Sequence, residues 1–128
     1  MSVVWVNGCF DILHVGHIEL FKYASSLGNK LVVGVDTDDR VKTSKGKDRP
    51  FNTLKDRVIM LKSIRHVDKV VSFNTDQGLR DEITKSGANI IVVGKEYESK
   101  GVIGSDLVEQ VAFFDRLGDY STTKILEK

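Results

Sequence analysis

Between Asn7 and His17 the chain reads Asn-Gly-Cys-Phe-Asp-Ile-Leu-His-Val-Gly-His, and His14, Gly16 and His17 fall where an amphipathic segment follows an apolar strand. Such a helix N-terminus offers unpaired N–H groups and the positive end of the helix dipole, which together attract phosphate. Gly16 removes a side chain where a phosphate must approach the backbone, and the two imidazoles can donate hydrogen bonds to phosphoryl oxygens as charge builds in a transition state. An isolated histidine pair is more often a surface or capping feature; its position after an apolar strand is what favours chemistry. Lys45 and Lys47 occupy a polar stretch, Arg57 lies on the next helical segment, and Ser121 and Thr122 stand where a short final helix begins. These groups suit a polyphosphate. If the acceptor is itself a phosphate, it is already an anionic nucleophile, so the protein needs no serine or cysteine nucleophile and chiefly aligns groups and neutralises charge.

Each residue also has a plainer reading. Lys45, Lys47 and Arg49 form a charge cluster of the kind that is often only solvated. Arg57 would equally sit on an exposed helix face, and Ser121 would serve as an ordinary cap. Cys9 has no metal-ligand pattern around it and is expected to pack. His66 ends a helix, where the dipole accounts for it.

The elements that must position these residues alternate between short β-branched runs and amphipathic segments, the pattern of βαβ units around a parallel sheet. Four or five strands are expected: Val3 to Val6, Leu31 to Val35, Lys69 to Phe73, Ile90 to Val93 and a short last one at Val111 to Phe114. Helices are expected from Val15 to Leu27, with Gly28 ending it, from Thr53 to Ile64, from Gln77 to Lys85, and from Ser121 through Ile125. The polar stretch from Asp36 to Asn52 is too long for a simple connection and reads as a functional loop. In an open parallel sheet, ligands bind at the carboxyl ends of the strands. The polar residues after the first, second and fourth strands gather there.

Composition sets outer limits. A chain of 128 residues suits one domain, here 1–128, and no linker or repeat divides it. Charged residues make up 29% with a net charge of +1, so the bulk balance suggests neither a nucleic-acid nor an anionic-membrane partner. The apolar runs are too short to span a bilayer, and Val3-Val4-Trp5-Val6 follows the start without a basic leader. The single cysteine agrees with a reducing, cytoplasmic setting.

Three motifs in order give the chain a resemblance: Gly8-Cys9-Phe10-Asp11 with His14-Val15-Gly16-His17, Arg57 on the second helix, and Ser121-Thr122-Thr123-Lys124-Ile125. It resembles the cytidylyltransferase-like nucleotidyltransferases over nearly its whole length. The resemblance implies a Rossmann-like three-layer α/β sandwich, a magnesium-bound nucleoside triphosphate, direct attack of an acceptor phosphate on the α-phosphorus with release of pyrophosphate, and a homodimer. It places His14, His17, Lys45 and Arg57 in catalysis and Asp11 at the metal. The nucleotide would meet Asn7, Gly8, Cys9, Phe10 and Gly16 after the first strand, Gly94 and Glu96 after the fourth, and Arg116, Ser121, Thr122 and Thr123 near the end.

Within this group the middle region, Lys45-Gly46-Lys47-Asp48-Arg49-Pro50-Phe51-Asn52 with Val67 to Phe73, is similar to the adenylyltransferases acting on glycero-manno-heptose 1-phosphate. Glu96-Tyr97 and Ile103-Gly104-Ser105 extend that likeness, whereas Gly94-Lys95-Glu96-Tyr97 stands where a Gly-Gly-Asp-Tyr run is expected. Arg116 instead resembles the glycerol-3-phosphate cytidylyltransferases, since a guanidinium can donate to the O2 and N3 edge of cytosine. ATP with a sugar phosphate is the leading expectation and CTP with a polyol phosphate the alternative. A non-catalytic nucleotide-binding module is the reading from another class, because fold alone does not exclude it.

Overall fold

The strands announced by the β-branched runs form one sheet in the computed structural model, which describes residues 2–115. In chain order the elements are β1 (Val3–Gly8), α1 (Val15–Ser26), β2 (Lys30–Asp36), α2 (Asp38–Lys45), α3 (Leu54–Lys62), β3 (Lys69–Phe73), α4 (Asp76–Ser86), β4 (Ile90–Gly94) and β5 (Gln110–Phe114). All neighbouring strands run parallel, in the order β3-β2-β1-β4-β5. This is the Rossmann-like α/β sandwich expected, with five strands. The final helix expected from Ser121 lies outside the described residues.

Alternation along the strands builds two apolar layers. Val4, Val6, Leu31, Val33, Val35 and Val92 point to one face, where Phe21 and Ala24 of α1 and Leu61 of α3 cover them. Val3, Trp5, Val32 and Ile91 point to the other and meet Leu79 and Ile83 of α4. Burying each such large side chain stabilises the fold by about 1.5–3 kcal/mol. Trp5 is fully buried, and the space its indole needs is left by Gly34 on the adjacent strand. A Cβ at Gly34 would lie 2.4 Å from the Trp5 ring.

Two boundaries differ from the sequence reading. The stretch after Asp36 is not all loop: residues 38–45 form α2, capped by the Thr37 hydroxyl, which accepts from the Arg40 N–H. Asp38 and Asp39 lie in its first turn and Lys42 and Lys45 in its last, so the charges complement the helix dipole at both ends. Only Val41 is buried, which is why hydrophobic periodicity did not reveal it. The following helix, α3, is shorter than expected and is capped by Thr53. Among the described residues no helix is long and apolar enough to cross a membrane.

Candidate active site

Strands β1 and β4 meet at the switch point of the sheet, where the chain order reverses. They are in register only through Val4–Ile90 and Trp5–Ile91, whereas β1 stays paired with β2 as far as Gly8–Val35. Beyond Trp5 the β1–β4 pair parts, and a cleft opens between Val6–Gly8 and Val92–Gly94. This is where an open α/β sheet binds its ligand.

The chain leaves β1 through Phe10, a non-glycine residue with a φ of 49°. Such a left-handed residue costs of order 1–3 kcal/mol and persists where its surroundings enforce it. Here the Phe10 ring is buried, set edge-on to His17 with ring centres 5.4 Å apart and tilted against Phe21 at 5.2 Å. Gly8 must be small for the same reason, since a Cβ there would stand 3.0 Å from the Phe10 ring. The turn delivers His14 to the start of α1 in an extended conformation.

Both histidines are built into that helix start. His14 Nδ1 accepts from the Gly16 N–H at 3.1 Å, and His17 Nδ1 accepts from the His14 N–H at 3.2 Å, a reciprocal capping box made with imidazoles. With Nδ1 the acceptor on each ring, Nε2 is the nitrogen left to carry an N–H donor. The rings stack with centres 3.8 Å apart. Two N–H donors are thus held side by side at a helix N-terminus, the geometry required to stabilise charge developing on phosphoryl oxygens.

Asp11 and Arg57 are both tied into hydrogen bonds with other parts of the chain. Asp11 is buried, and its carboxylate accepts from the Phe51 and Asn52 N–H groups, both at 2.7 Å, and from Arg49 Nε at 3.1 Å. Those bonds make Asp11 a brace for residues 49–52, and it is not among the residues that line the cleft. Among the described residues no group of three or more His, Cys, Asp or Glu side chains could hold a metal ion. Arg57 is equally buried: it donates to the carbonyls of Asn52, Cys9 and Asp36 and to the Asp38 carboxylate. It gathers the ends of β1 and β2, the start of α2 and the entry to α3, and it does not face the cavity.

The cleft comprises two adjoining cavities. One, of about 340 Å³, is lined by His14, Gly16, His17, Phe10, Glu96 and Arg49. The other, of about 770 Å³, extends along α2 past Asp36, Asp39, Arg40 and Asn74. Asn7, Gly8, Cys9, Gly94 and Lys45 border both. Ten of the residues singled out from the sequence therefore share one cleft: Asn7, Gly8, Cys9, Phe10, His14, Gly16, His17, Lys45, Gly94 and Glu96. Lys47 is exposed and outside both linings. Arg116, Ser121, Thr122 and Thr123 lie outside the described residues. Sequence reasoning gave Arg49 no role, although its place beside Pro50 within the lysine-rich stretch was a usable signal.

Two groups in the cleft titrate away from their ordinary values. Burial pushes the Cys9 thiol up, against the pull of the Arg57 charge, so Cys9 is a packing thiol and not an activated nucleophile. Burial likewise raises Asp36, outweighing its hydrogen bond from Arg40.

A family model described as cytidylyltransferase-like matches residues 5–128. The chain belongs to the cytidylyltransferase-like family. Its class, nucleotidyltransferase, follows from that membership. Curated relatives in the cytidylyltransferase-like match include the bifunctional protein HldE of Helicobacter hepaticus, 42% identical over 98% of this chain and 26% of that protein. The bifunctional protein HldE of Campylobacter concisus is 44% identical over 99% of this chain and 27% of its own length. The chain spans about a quarter of the length of these relatives. Among solved structures, a lipopolysaccharide core biosynthesis protein from Thermoplasma volcanium superposes with a TM-score of 0.72 at 25% identity, covering 91% of this chain and 99% of that one. A protein of unknown function from Archaeoglobus fulgidus shares the fold, with a TM-score of 0.65 at 19% identity and 90% coverage of both chains.

Proposed function

We propose that this cytidylyltransferase-like domain transfers AMP from ATP to a sugar phosphate of the heptose 1-phosphate type and releases pyrophosphate. The observation that carries the reading is the stacked His14–His17 pair at the start of α1, opening on a cavity that shares a wall with a second and larger one. The triphosphate lies against the histidines and the α1 N-terminus, where Nε2–H groups donate to phosphoryl oxygens. The acceptor takes the larger cavity along α2, whose polar lining of Asp39, Thr43, Ser44 and Asn74 suits a polyhydroxylated compound. Lys45 borders both cavities and offers its ammonium where the two phosphates must approach each other. The acceptor phosphate oxygen attacks the α-phosphorus, a new P–O bond forms as the α–β bridge breaks, and pyrophosphate leaves with the bridging electron pair. The chain's contribution is alignment and charge neutralisation.

Magnesium would accompany the triphosphate in this reading and would supply charge neutralisation on its phosphoryl oxygens. The homodimer belongs to the same reading and rests on the family resemblance, and the cytoplasmic setting rests on the single cysteine. The likeness of Lys45 to Asn52 and Val67 to Phe73 to the heptose-type enzymes supports ATP and the sugar phosphate. Arg116 is the one residue that favours the second reading, CTP with glycerol 3-phosphate.

The test is pyrophosphate release with ATP or CTP against a panel of sugar and polyol phosphates in the presence of magnesium. Release with ATP and a sugar 1-phosphate is the expected result. Release confined to CTP and glycerol 3-phosphate, with the CTP preference lost in Arg116→Ala, would establish the second reading. Nucleotide binding without pyrophosphate from any pair would mark a binding module.

A further inference from the structure

One cationic side chain of the cleft is only half engaged by the protein. Arg49 has left the solvent, its side chain 16% exposed, and its Nε is anchored on the fully buried Asp11 carboxylate at 3.1 Å. The anchor is rigid, because the Phe51 and Asn52 N–H groups hold both oxygens of Asp11 at 2.7 Å. The guanidinium borders the same cavity as His14, His17 and Lys45. Its Nη2 is buried, yet it has no hydrogen-bond partner among the described residues.

Buried polar groups are nearly always paired, so a buried N–H without a partner needs an explanation. The chain supplies its own comparison. Arg57, the fully buried arginine, bonds to acceptors through Nε, Nη1 and Nη2, as a structural arginine should. Arg49 is held from one side only. A guanidinium gripped by a carboxylate at Nε keeps an outer edge of parallel donors, and that edge matches the spacing of oxygens on a phosphoryl group.

We propose that Arg49 binds a phosphoryl group of a substrate in the histidine cavity, with Asp11 as its positioning residue. The proposal deepens the nucleotidyl-transfer reading and rests on it for the identity of the substrates. Non-bridging phosphoryl oxygens are the ligand chemistry, and they can come from the triphosphate or from the acceptor. Asp11 neutralises part of the guanidinium charge and fixes its plane, so a flexible cation becomes a directed fork.

The experiment compares wild type, Arg49→Lys and Arg49→Gln, with urea midpoints confirming that each variant folds. Binding of inorganic tripolyphosphate and of ATP is followed by calorimetry, and the KM for each substrate is measured separately from kcat. If Arg49 holds the triphosphate, Arg49→Gln weakens tripolyphosphate and ATP binding tenfold or more while the acceptor KM stays put. If it holds the acceptor phosphate, the acceptor KM rises tenfold or more and ATP binding is unchanged. Arg49→Lys keeps the charge but not the fork and falls between. Asp11→Asn should shift the same constant as Arg49→Gln, and the double variant should lose little more than either alone.

A folded Arg49→Gln whose binding constants and KM values all stay within twofold of wild type would overturn the proposal. So would a loss confined to the urea midpoint, or a wild type that binds neither tripolyphosphate nor acceptor. The calorimetry needs no turnover. Tripolyphosphate binding that depends on Arg49 in a protein releasing no pyrophosphate would retain this site and remove the transfer reading. Turnover indifferent to Arg49 would do the reverse.

Discussion

Replacing Arg57 by leucine removes four hydrogen bonds from beneath the cleft. Its Nε donates to the Asn52 carbonyl at 3.1 Å, Nη1 to the carbonyls of Cys9 at 2.9 Å and Asp36 at 2.7 Å, and Nη2 to Asp38 at 2.7 Å. Hydrogen bonds involving a charged group contribute about 1.5–3 kcal/mol each, so the three to half-buried carbonyls set the scale. The Asp38 pair is discounted to about 0–1 kcal/mol, because the Asp38 side chain is 38% exposed. Relief from burying the guanidinium and entry of water into the vacated space offset part of the loss. Breaking a buried charged network of this kind costs about 3–5 kcal/mol, out of a total stability of about 5–15 kcal/mol. With a urea slope of about 1–3 kcal/mol per molar, the unfolding midpoint should fall by roughly 2 M. Arg57→Lys retains the charge but cannot reach four acceptors from one ammonium, so about half the loss should remain. Urea unfolding followed by circular dichroism measures both. A midpoint for Arg57→Leu within about 0.5 M of wild type, accompanied by collapse of turnover, would refute this account and return the guanidinium to the substrate phosphates.

Other outcomes follow from the same geometry. His14→Ala should lower kcat about a hundredfold and also lose a helix cap worth about 1 kcal/mol, whereas His14→Ser keeps a cap and should lose only the rate; near-normal turnover in His14→Ser would remove that imidazole from the chemistry. His17→Ala should show a similar fall in kcat, read by the same pyrophosphate assay. The Cys9 thiol, raised above its ordinary 9.0, stays protonated in the folded state after an unfolded thiol has ionised. Folded chains therefore bind more protons in that interval, and stability should decline as pH rises beyond about 9, less steeply in Cys9→Ser; identical slopes would show that the shift has no weight. Proteolysis between Thr43 and Arg49 should slow when ATP and magnesium are added, and equal cleavage rates would count against closure over substrate.

Features carried by local pattern were legible in the sequence. Short β-branched apolar runs located the strands, and His14, Gly16 and His17 could be placed at a helix start because a capping position depends only on immediate neighbours. Helix α2 was not legible, since Asp38 to Lys45 buries one residue and shows no apolar stripe; the signals it did offer were the Thr37 cap and the ordered charges of its two ends. Asp11 and Arg57 stand out in the sequence, yet their hydrogen-bond partners do not. Which atoms a carboxylate or guanidinium meets depends on chain segments far apart in sequence, such as Asp11 with Asn52 and Arg57 with Cys9. Spacing cannot encode such meetings. The same reasoning explains why Arg49 passed for a solvated charge until Asp11 was found behind it.

The ties around α2 also set how far anything over the cleft can travel. Arg40 fastens the start of the helix to Asp36 and Asp76, Arg57 adds Asp38, and Val41 is buried beneath it. Asp11 fastens the chain again from Arg49 to Asn52. Residues 42–48 span the interval between these anchors and are exposed, with Gly46 at a φ of 108° and open space around it. A short strap pinned at both ends can flex at its middle but cannot swing like a hinged lobe. Its excursions belong to the nanosecond-to-microsecond range of short loops, faster than the microsecond-to-millisecond range of whole domains. Any adjustment over the cleft is therefore confined to the end of α2 and the turn after it, with Lys45 at their junction.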